Sequence, residues 1–200
     1  MRFLEYELTA DTLCLGERVK AGLFRPCDTR TIRYSAITGA LRSYLGRDDL
    51  HAAGYFVQDG EHNQVDYFTY SPRDRVLGSS KIPLTVQFLR NVLGKIYIPD
   101  HADLPEEFDL SLGALKSRGF GQCHLRYLTS LDSEEHRAFG RLNTRIPLDR
   151  VDVFAIKEVK VPVYGYLFRP TSRTDGVYVL SLFEGSVVVG PRFLLEEGTK

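Results

Sequence analysis

Leu112-Gly113-Ala114-Leu115-Lys116-Ser117-Arg118-Gly119-Phe120-Gly121 brackets a Lys-Ser-Arg triplet with glycines and lies between two strand-like runs, Phe108 to Leu112 and Gln122 to Leu131. Glycine reaches positive φ and lets a ligand approach the main chain closely. Such a loop can turn several N–H groups toward one anion while Lys116 and Arg118 supply charge. The stretch reads as a backbone cradle for a phosphate. A long hairpin with a solvated basic tip has the same composition, and glycine-bearing hairpin loops are common. A dinucleotide fingerprint would need Gly-x-Gly-x-x-Gly opening a helix, and a Walker loop would need a Gly-Lys-Ser/Thr ending; neither is present.

The 200 residues around this loop are 43% hydrophobic and 12% aromatic, enough for one sizeable core or two small fused ones. No apolar run approaches the roughly 18 residues of a membrane span. Met1-Arg2-Phe3-Leu4-Glu5 meets a carboxylate too early for a secretory signal, so a cytoplasmic protein without a membrane partner is expected. Cys14, Cys27 and Cys123 are far apart and form no Cys-x-x-Cys pair, which predicts buried free thiols rather than a disulfide framework or a zinc site. The formal charge is zero, which argues against coating nucleic acid through overall positive charge. Any RNA contact must come from local patches.

One basic patch lies early, where residues 16 to 46 hold Arg18, Lys20, Arg25, Arg30, Arg33 and Arg42 against Glu17 and Asp28. A long charged connection between a first strand and a first helix is a common place for function. The helix follows, with Ser35 as N-cap and Ile37, Ala40, Leu41, Tyr44 and Leu45 at helical spacing toward the core. Thr38, Gly39 and Arg42 then fall on the other side. Gly39 costs about 1 kcal/mol relative to Ala inside a helix, so a reason for it should exist, such as close approach of another backbone.

Two stretches carry a family resemblance. Hydrophobic-Gly, five spacer residues and Gly-aromatic-Gly over Leu112 to Gly121 resembles the glycine-rich loop of the RAMP superfamily of CRISPR–Cas systems. Tyr34-Ser35-Ala36-Ile37-Thr38-Gly39-Ala40-Leu41-Arg42 looks like the Ser-x-hydrophobic-x-Gly-x-hydrophobic-Arg helix start of many RAMP subunits, with Tyr34 standing where a Pro-Gly turn commonly precedes the serine. The resemblance implies an α+β protein, with a ferredoxin-like (RRM-related) domain carrying the glycine-rich loop at residues 1–142 and a β-rich lobe at 143–200 packed on it. It further implies a noncatalytic RNA-binding subunit of a CRISPR effector ribonucleoprotein in antiviral defence. Such a subunit would hold the 5′ repeat-derived handle of the CRISPR RNA and contact other Cas effector subunits. The amides of Gly113 to Gly121 with Lys116, Ser117 and Arg118 would grip phosphates, Gly119 and Phe120 belonging to the same loop. Arg42, Arg33 and Arg30 would contact adjacent nucleotides.

The coarse reading of elements agrees with a β-α-β-β-α-β order. Phe3 to Leu15 reads as a strand or a bent pair, Ser35 to Leu45 as a helix, and Gly54 to Val57 and Val65 to Tyr70 as short strands. Leu84 to Leu93 reads as a second helix closed by Gly94, and Lys95 to Pro99 as an edge strand. Beyond Asn143, β-branched and aromatic residues predict strands at Val151 to Ile156, Val159 to Phe168, Val177 to Phe183 and Ser186 to Val189. Tyr97, Tyr127, Tyr164, Tyr166 and Tyr178 suit a base-stacking sheet face or the core of one equally well.

Catalysis has two candidates. A metal-free ribonuclease needs a general base and acid, and of His51, His62, His101, His124 and His136 only His124 adjoins the glycine loop, sharing a strand face with Gln122 and Arg126. That alternative is a repeat-RNA-processing endoribonuclease. In such relatives the loop usually lies near the C-terminus, whereas a long segment follows it here. The other alternative is a backbone RAMP subunit that cuts target RNA with a loop aspartate, for which Asp28 stands in the corresponding loop; an Asp in Pro26-Cys27-Asp28-Thr29 also suits a turn. Asp100-His101-Ala102-Asp103 is compact, but no further ligands accompany it, so neither metal nor cofactor is expected. Ser71-Pro72-Arg73-Asp74-Arg75 and Gly78-Ser79-Ser80-Lys81 form another polar surface loop.

Overall fold

The computed structural model describes residues 1–16, 23–74, 76, 78–99, 104–172 and 175–196. Arg18, Lys20, Arg75 and the Asp100–Asp103 cluster lie outside them. The elements are β1 (Arg2–Leu13), β2 (Phe24–Arg25), β3 (Thr31–Ile32), α1 (Tyr34–Leu45), β4 (Ala53–Phe56), β5 (Gln64–Tyr70), β6 (Leu84–Pro99), β7 (Glu107–Ser111), β8 (Gln122–Asp132), β9 (Arg137–Arg141), β10 (Ile146–Pro147), β11 (Glu158–Val161), β12 (Tyr164–Pro170), β13 (Gly176–Leu182) and β14 (Val187–Pro191). Strands dominate, and α1 is the one α-helix among the described residues. None of these elements is a helix long and apolar enough to cross a membrane.

The main sheet runs β3-β4-β6-β1-β8-β7, with β2 and β5 also paired to β6. Alternation along β1 sends Tyr6 and Leu8 into the core beneath α1, while Glu5 and Glu7 leave by the opposite face. Ile37 and Leu41 of α1 are fully buried on that core beside Leu8, Ile96 and Leu125, each worth about 2 kcal/mol of apolar burial.

The second helix expected at Leu84 to Leu93 is instead the first half of β6, and Lys95 to Pro99 is its central continuation, paired with β1 on one side and β4 on the other rather than forming an edge. Two strand phases joined at one residue explain the misreading. Asn91 takes φ 50°, which reverses the alternation. Leu84, Val86 and Phe88 face a small cluster with Phe120, whereas Leu89, Val92 and Ile96 face the core under α1. The resulting sequence pattern, with Leu89, Val92, Leu93 and Ile96 at i, i+3, i+4 and i+7, imitates a helix.

Two three-stranded sheets, β10-β13-β12 and β11-β14-β9, complete the molecule. Their shared apolar cluster joins Phe154, Leu182 and Val188 to Phe3 and Tyr97 of the main sheet. Phe193 packs edge-on against Phe3 at 5.2 Å. Val151 to Ile156, expected as a strand, holds a 3-10 turn at Asp152–Phe154 that ends at Ala155 with φ 54°. Cys14, Cys27 and Cys123 are buried free thiols, and burial pushes Cys27 and Cys123 up to about 12.

Candidate nucleic-acid interface

Helix α1 begins one residue before the expected cap. Arg33 is the N-cap, and no side chain bonds the first turn, so Ser35 sits within that turn rather than capping it. Thr38 is also placed differently from expectation. It is buried, donating its hydroxyl to the Ala52 carbonyl at 3.2 Å and accepting the Ala52 N–H at 3.1 Å. These bonds tie α1 to the chain entering β4. Ser35, Gly39 and Ser43, four residues apart, share an outward face with Ala36 and Ala40. A Cβ built at Gly39 meets no atom within 4 Å. Among the described residues no backbone approaches it, and the missing side chain leaves open space.

That open space belongs to a groove of about 720 Å³ between this face of α1 and the glycine loop. Ser111, Gly113, Ala114 and Lys116 line it opposite the helix, Tyr44 lies at the wall, and Phe168 and Pro170 of β12 contribute from the C-terminal sheets. Tyr44 is held by stacking on Phe108 at 5.1 Å. Two stretches singled out by sequence thus face each other across one concavity. No local signal in the sequence marks Phe168, Pro170, Ser43 or Tyr44 as groove residues.

The loop's shape comes from close contacts with neighbouring backbone. Gly113 has φ 81° and Gly121 φ 75°, and a Cβ at either would collide with a carbonyl oxygen, that of Cys14 or of Leu112 respectively. The N–H groups of Ala114 and Gly121 donate to Cys14 and Thr12 of the β1 end at 2.8 Å, and those of Arg118 and Gly119 close a 3-10 turn over Lys116–Arg118. These four amides serve the fold. Anion attraction at this loop therefore falls to its side chains and to the amides outside these four bonds.

Those side chains part company. Lys116 lines the groove and donates Nζ to the Ser111 carbonyl at 2.8 Å. Arg118 leaves on the other side, its guanidinium 4.3 Å from the Tyr70 ring centroid and 5.8 Å from that of Phe68. Phe120 packs edge-on against Phe88 at 4.9 Å and near Phe68 at 5.8 Å, anchoring the loop on β5 and β6. Ser117 and Gly119 are exposed at the tip.

The early arginines are distributed as well. Arg33 lines the groove while its Nε engages Asp28. Arg145 reaches the same carboxylate at 3.5 Å, pairs with Glu184 at 2.7 Å, and lies over the Phe183 ring at 4.4 Å. Burial pushes the Glu184 carboxyl up, but the hydrogen bonds and charge of Arg145, with Arg30 farther off, outweigh it and hold the group below its ordinary value. Asp28 is thus the centre of a mostly buried charge network. Arg42 donates Nε to the Leu50 carbonyl at 2.9 Å, and Arg30 is exposed; neither lines the groove.

His124 lines a second, smaller groove of about 400 Å³, together with His62, Asp11 and Asp109. Its Nδ1 is 2.8 Å from Asp109 Oδ1, and His62 Nδ1 is 2.7 Å from Asp59 Oδ2. Lys and Arg are absent from the described lining of this groove, which opposes a phosphodiester at neutral pH. Of the tyrosines, Tyr97 is core, Tyr127 is half-buried, and Tyr164, Tyr166 and Tyr178 are exposed.

The fold of this chain is similar to that of a Cmr-beta chain. A chain in the cryo-EM structure of the Type III-B Cmr-beta bound to cognate target RNA and AMPPnP matches with a TM-score of 0.54 at 10% identity, over 94% of this chain and 86% of that one. A second structure, the Type III-B Cmr-beta bound to cognate target RNA, gives 0.53 at 11% identity over the same shares, 94% and 86%. No family model matches the chain, and no curated protein matches it.

Proposed function

We propose that the chain is a noncatalytic RNA-binding subunit of a CRISPR effector ribonucleoprotein, a RAMP protein that holds the 5′ handle of the CRISPR RNA and contacts neighbouring Cas subunits. One observation carries this reading: the α1 face cleared by Gly39 and the glycine loop with Lys116 stand across a single open groove. The α1 first turn has no side-chain cap, so its N–H groups and the positive end of the helix dipole favour an anion there. Phosphates would lie between that turn and Lys116, with Ser35 and Ser43 as further polar partners.

The fold similarity to Cmr-beta chains in RNA-bound structures supports the same reading. In it, β1, α1, β4, β6 and β8 form the ferredoxin-like unit, with spatial order β4-β6-β1-β8, and β7 with the glycine loop occupies the connection where the second helix would lie. Residues 1–142 grip the RNA, and the 143–200 lobe packs on them. Holding rather than cutting is favoured because Asp28 is engaged by Arg33 and Arg145 and the described lining of the His124 groove brings no Lys or Arg.

The groove is tested by charge and by volume. Lys116→Ala is expected to reduce the slope of log affinity against log salt by about 0.7 for a single-stranded handle RNA. Gly39→Glu fills the open space with a carboxylate and is expected to weaken binding at least tenfold, or about 1.4 kcal/mol. Its melting temperature should hold or rise, since Glu exceeds Gly as a helix former by about 0.5 kcal/mol or more. Wild-type affinity in both variants would remove the groove from the interface.

A further inference from the structure

The β12–β13 hairpin carries an aromatic face that the groove does not account for. Antiparallel pairing sets Tyr164, Tyr166 and Phe168 on one face, opposite Leu182, Leu180 and Tyr178. Tyr166 is 60% exposed, Tyr164 57% and Tyr178 51%, and none of these six positions holds a charge. Leu180 is 38% exposed beside them while Leu182 is buried in the core, and a contiguous set of exposed aromatic rings calls for a partner.

The face is continuous with the groove. Phe168 lines the groove beside Pro170, and its ring meets Tyr178 edge-on at 5.6 Å. A Cβ at Gly176 would collide with the Phe168 ring, so that ring is seated over bare backbone and held in place. A strand leaving the groove past Phe168 therefore arrives on Tyr178, Tyr166 and Tyr164 in turn.

We propose that this face stacks the bases of a single-stranded RNA segment whose phosphates run along the groove; the inference rests on the groove binding RNA. Alternate residues of a strand stand about 6.6 Å apart, close to twice the roughly 3.4 Å rise per nucleotide, so one base fits between successive rings. With no carboxylate on the face, the phosphodiester meets no repulsion. Stacking on uncharged rings is tolerant of sequence and adds affinity without adding salt dependence. A protein surface is the competing occupant, and the continuity with the anion-favouring groove argues for RNA.

The chain contains no tryptophan, so Tyr166→Trp places a single reporter on the face. Titrated with a short single-stranded oligoribonucleotide, its emission is expected to be quenched. An abasic strand of equal length should bind more weakly and leave emission unchanged. Tyr166→Ser and Tyr178→Ser are each expected to lose about tenfold in affinity with an unaltered salt slope and an unaltered melting temperature. RNA binding that depends on Lys116 but is indifferent to both tyrosines would overturn the stacking face and leave the groove standing. Self-association of the wild type that the Tyr→Ser variants abolish, without any loss of RNA affinity, would make the face a protein interface and overturn the proposal too. Absence of RNA binding by the wild type would overturn both readings together.

Discussion

Arg145→Ala is expected to lower stability by about 3 kcal/mol, because it leaves the partly buried Glu184 carboxylate without its guanidinium and Asp28 with Arg33 alone. Arg145 is 14% exposed at its side chain, and it pairs with Glu184 at 2.7 Å and reaches Asp28 at 3.5 Å. Its guanidinium also covers the Phe183 ring, so truncation removes packing as well as charge. For a chain of this length the fall in melting temperature is on the order of 10 °C, measurable by calorimetry at neutral pH. The pH dependence has a definite sign. Because the Glu184 carboxyl is held below its ordinary value in the folded protein, its contribution is complete above the unfolded value near 4.5 and is lost as pH falls through the folded one. In Arg145→Ala, burial acts on Glu184 without that partner, so this share of the acid-side loss should disappear. A melting temperature within 2 °C of wild type would mean that the network contributes little.

Gly121→Ala is expected to cost about 3 kcal/mol, combining a left-handed backbone with a collision against the Leu112 carbonyl. The neighbouring backbone has little room to yield, since Leu112 N–H donates to the Gly121 carbonyl and Gly121 N–H to Thr12, both at 2.8 Å. Gly119 provides the internal control. Its φ is 86°, but a Cβ there meets nothing within 4 Å, so Gly119→Ala should cost only the conformational share, about 1 kcal/mol. Equal melting temperatures for the two variants would show that the Gly121 contact relaxes freely. The contrast matters for function because the same hydrogen bonds fix where Lys116 stands relative to α1.

Local patterns in the sequence are enough to find α1, the pair of strands flanking the glycine loop, and the strands at Gly176–Leu182 and Val187–Pro191, but not the 3-10 turn at Asp152–Phe154. They mislead where a single residue changes the phase of a strand. Asn91 in the left-handed region turns two alternating patterns into an apparent helical one, and nothing local distinguishes that from the second helix of the expected order. The groove was half legible. The Ser35–Gly39 helix face and the loop are both conspicuous, but which loop amides are already spent on Cys14 and Thr12, and that Arg118 turns away onto Tyr70, depend on contacts between distant segments. Asp28 illustrates the same limit, since its second partner, Arg145, lies more than a hundred residues away in sequence. Tyr164 and Tyr166 alternate as core strand residues do, and only the packing of the hairpin reveals that their face is left uncovered.

On the proposed reading, this protein holds handle RNA in the groove and leaves it intact. The most direct test is to titrate the purified chain with end-labelled CRISPR repeat RNA, with and without divalent metal, reading binding and cleavage from the same samples. Saturable binding of the handle, weakened by Gly39→Glu and with the RNA uncut under both conditions, is the predicted result. A discrete cut that survives Gly39→Glu, and is lost in His124→Ala or in Asp28→Asn, would contradict it.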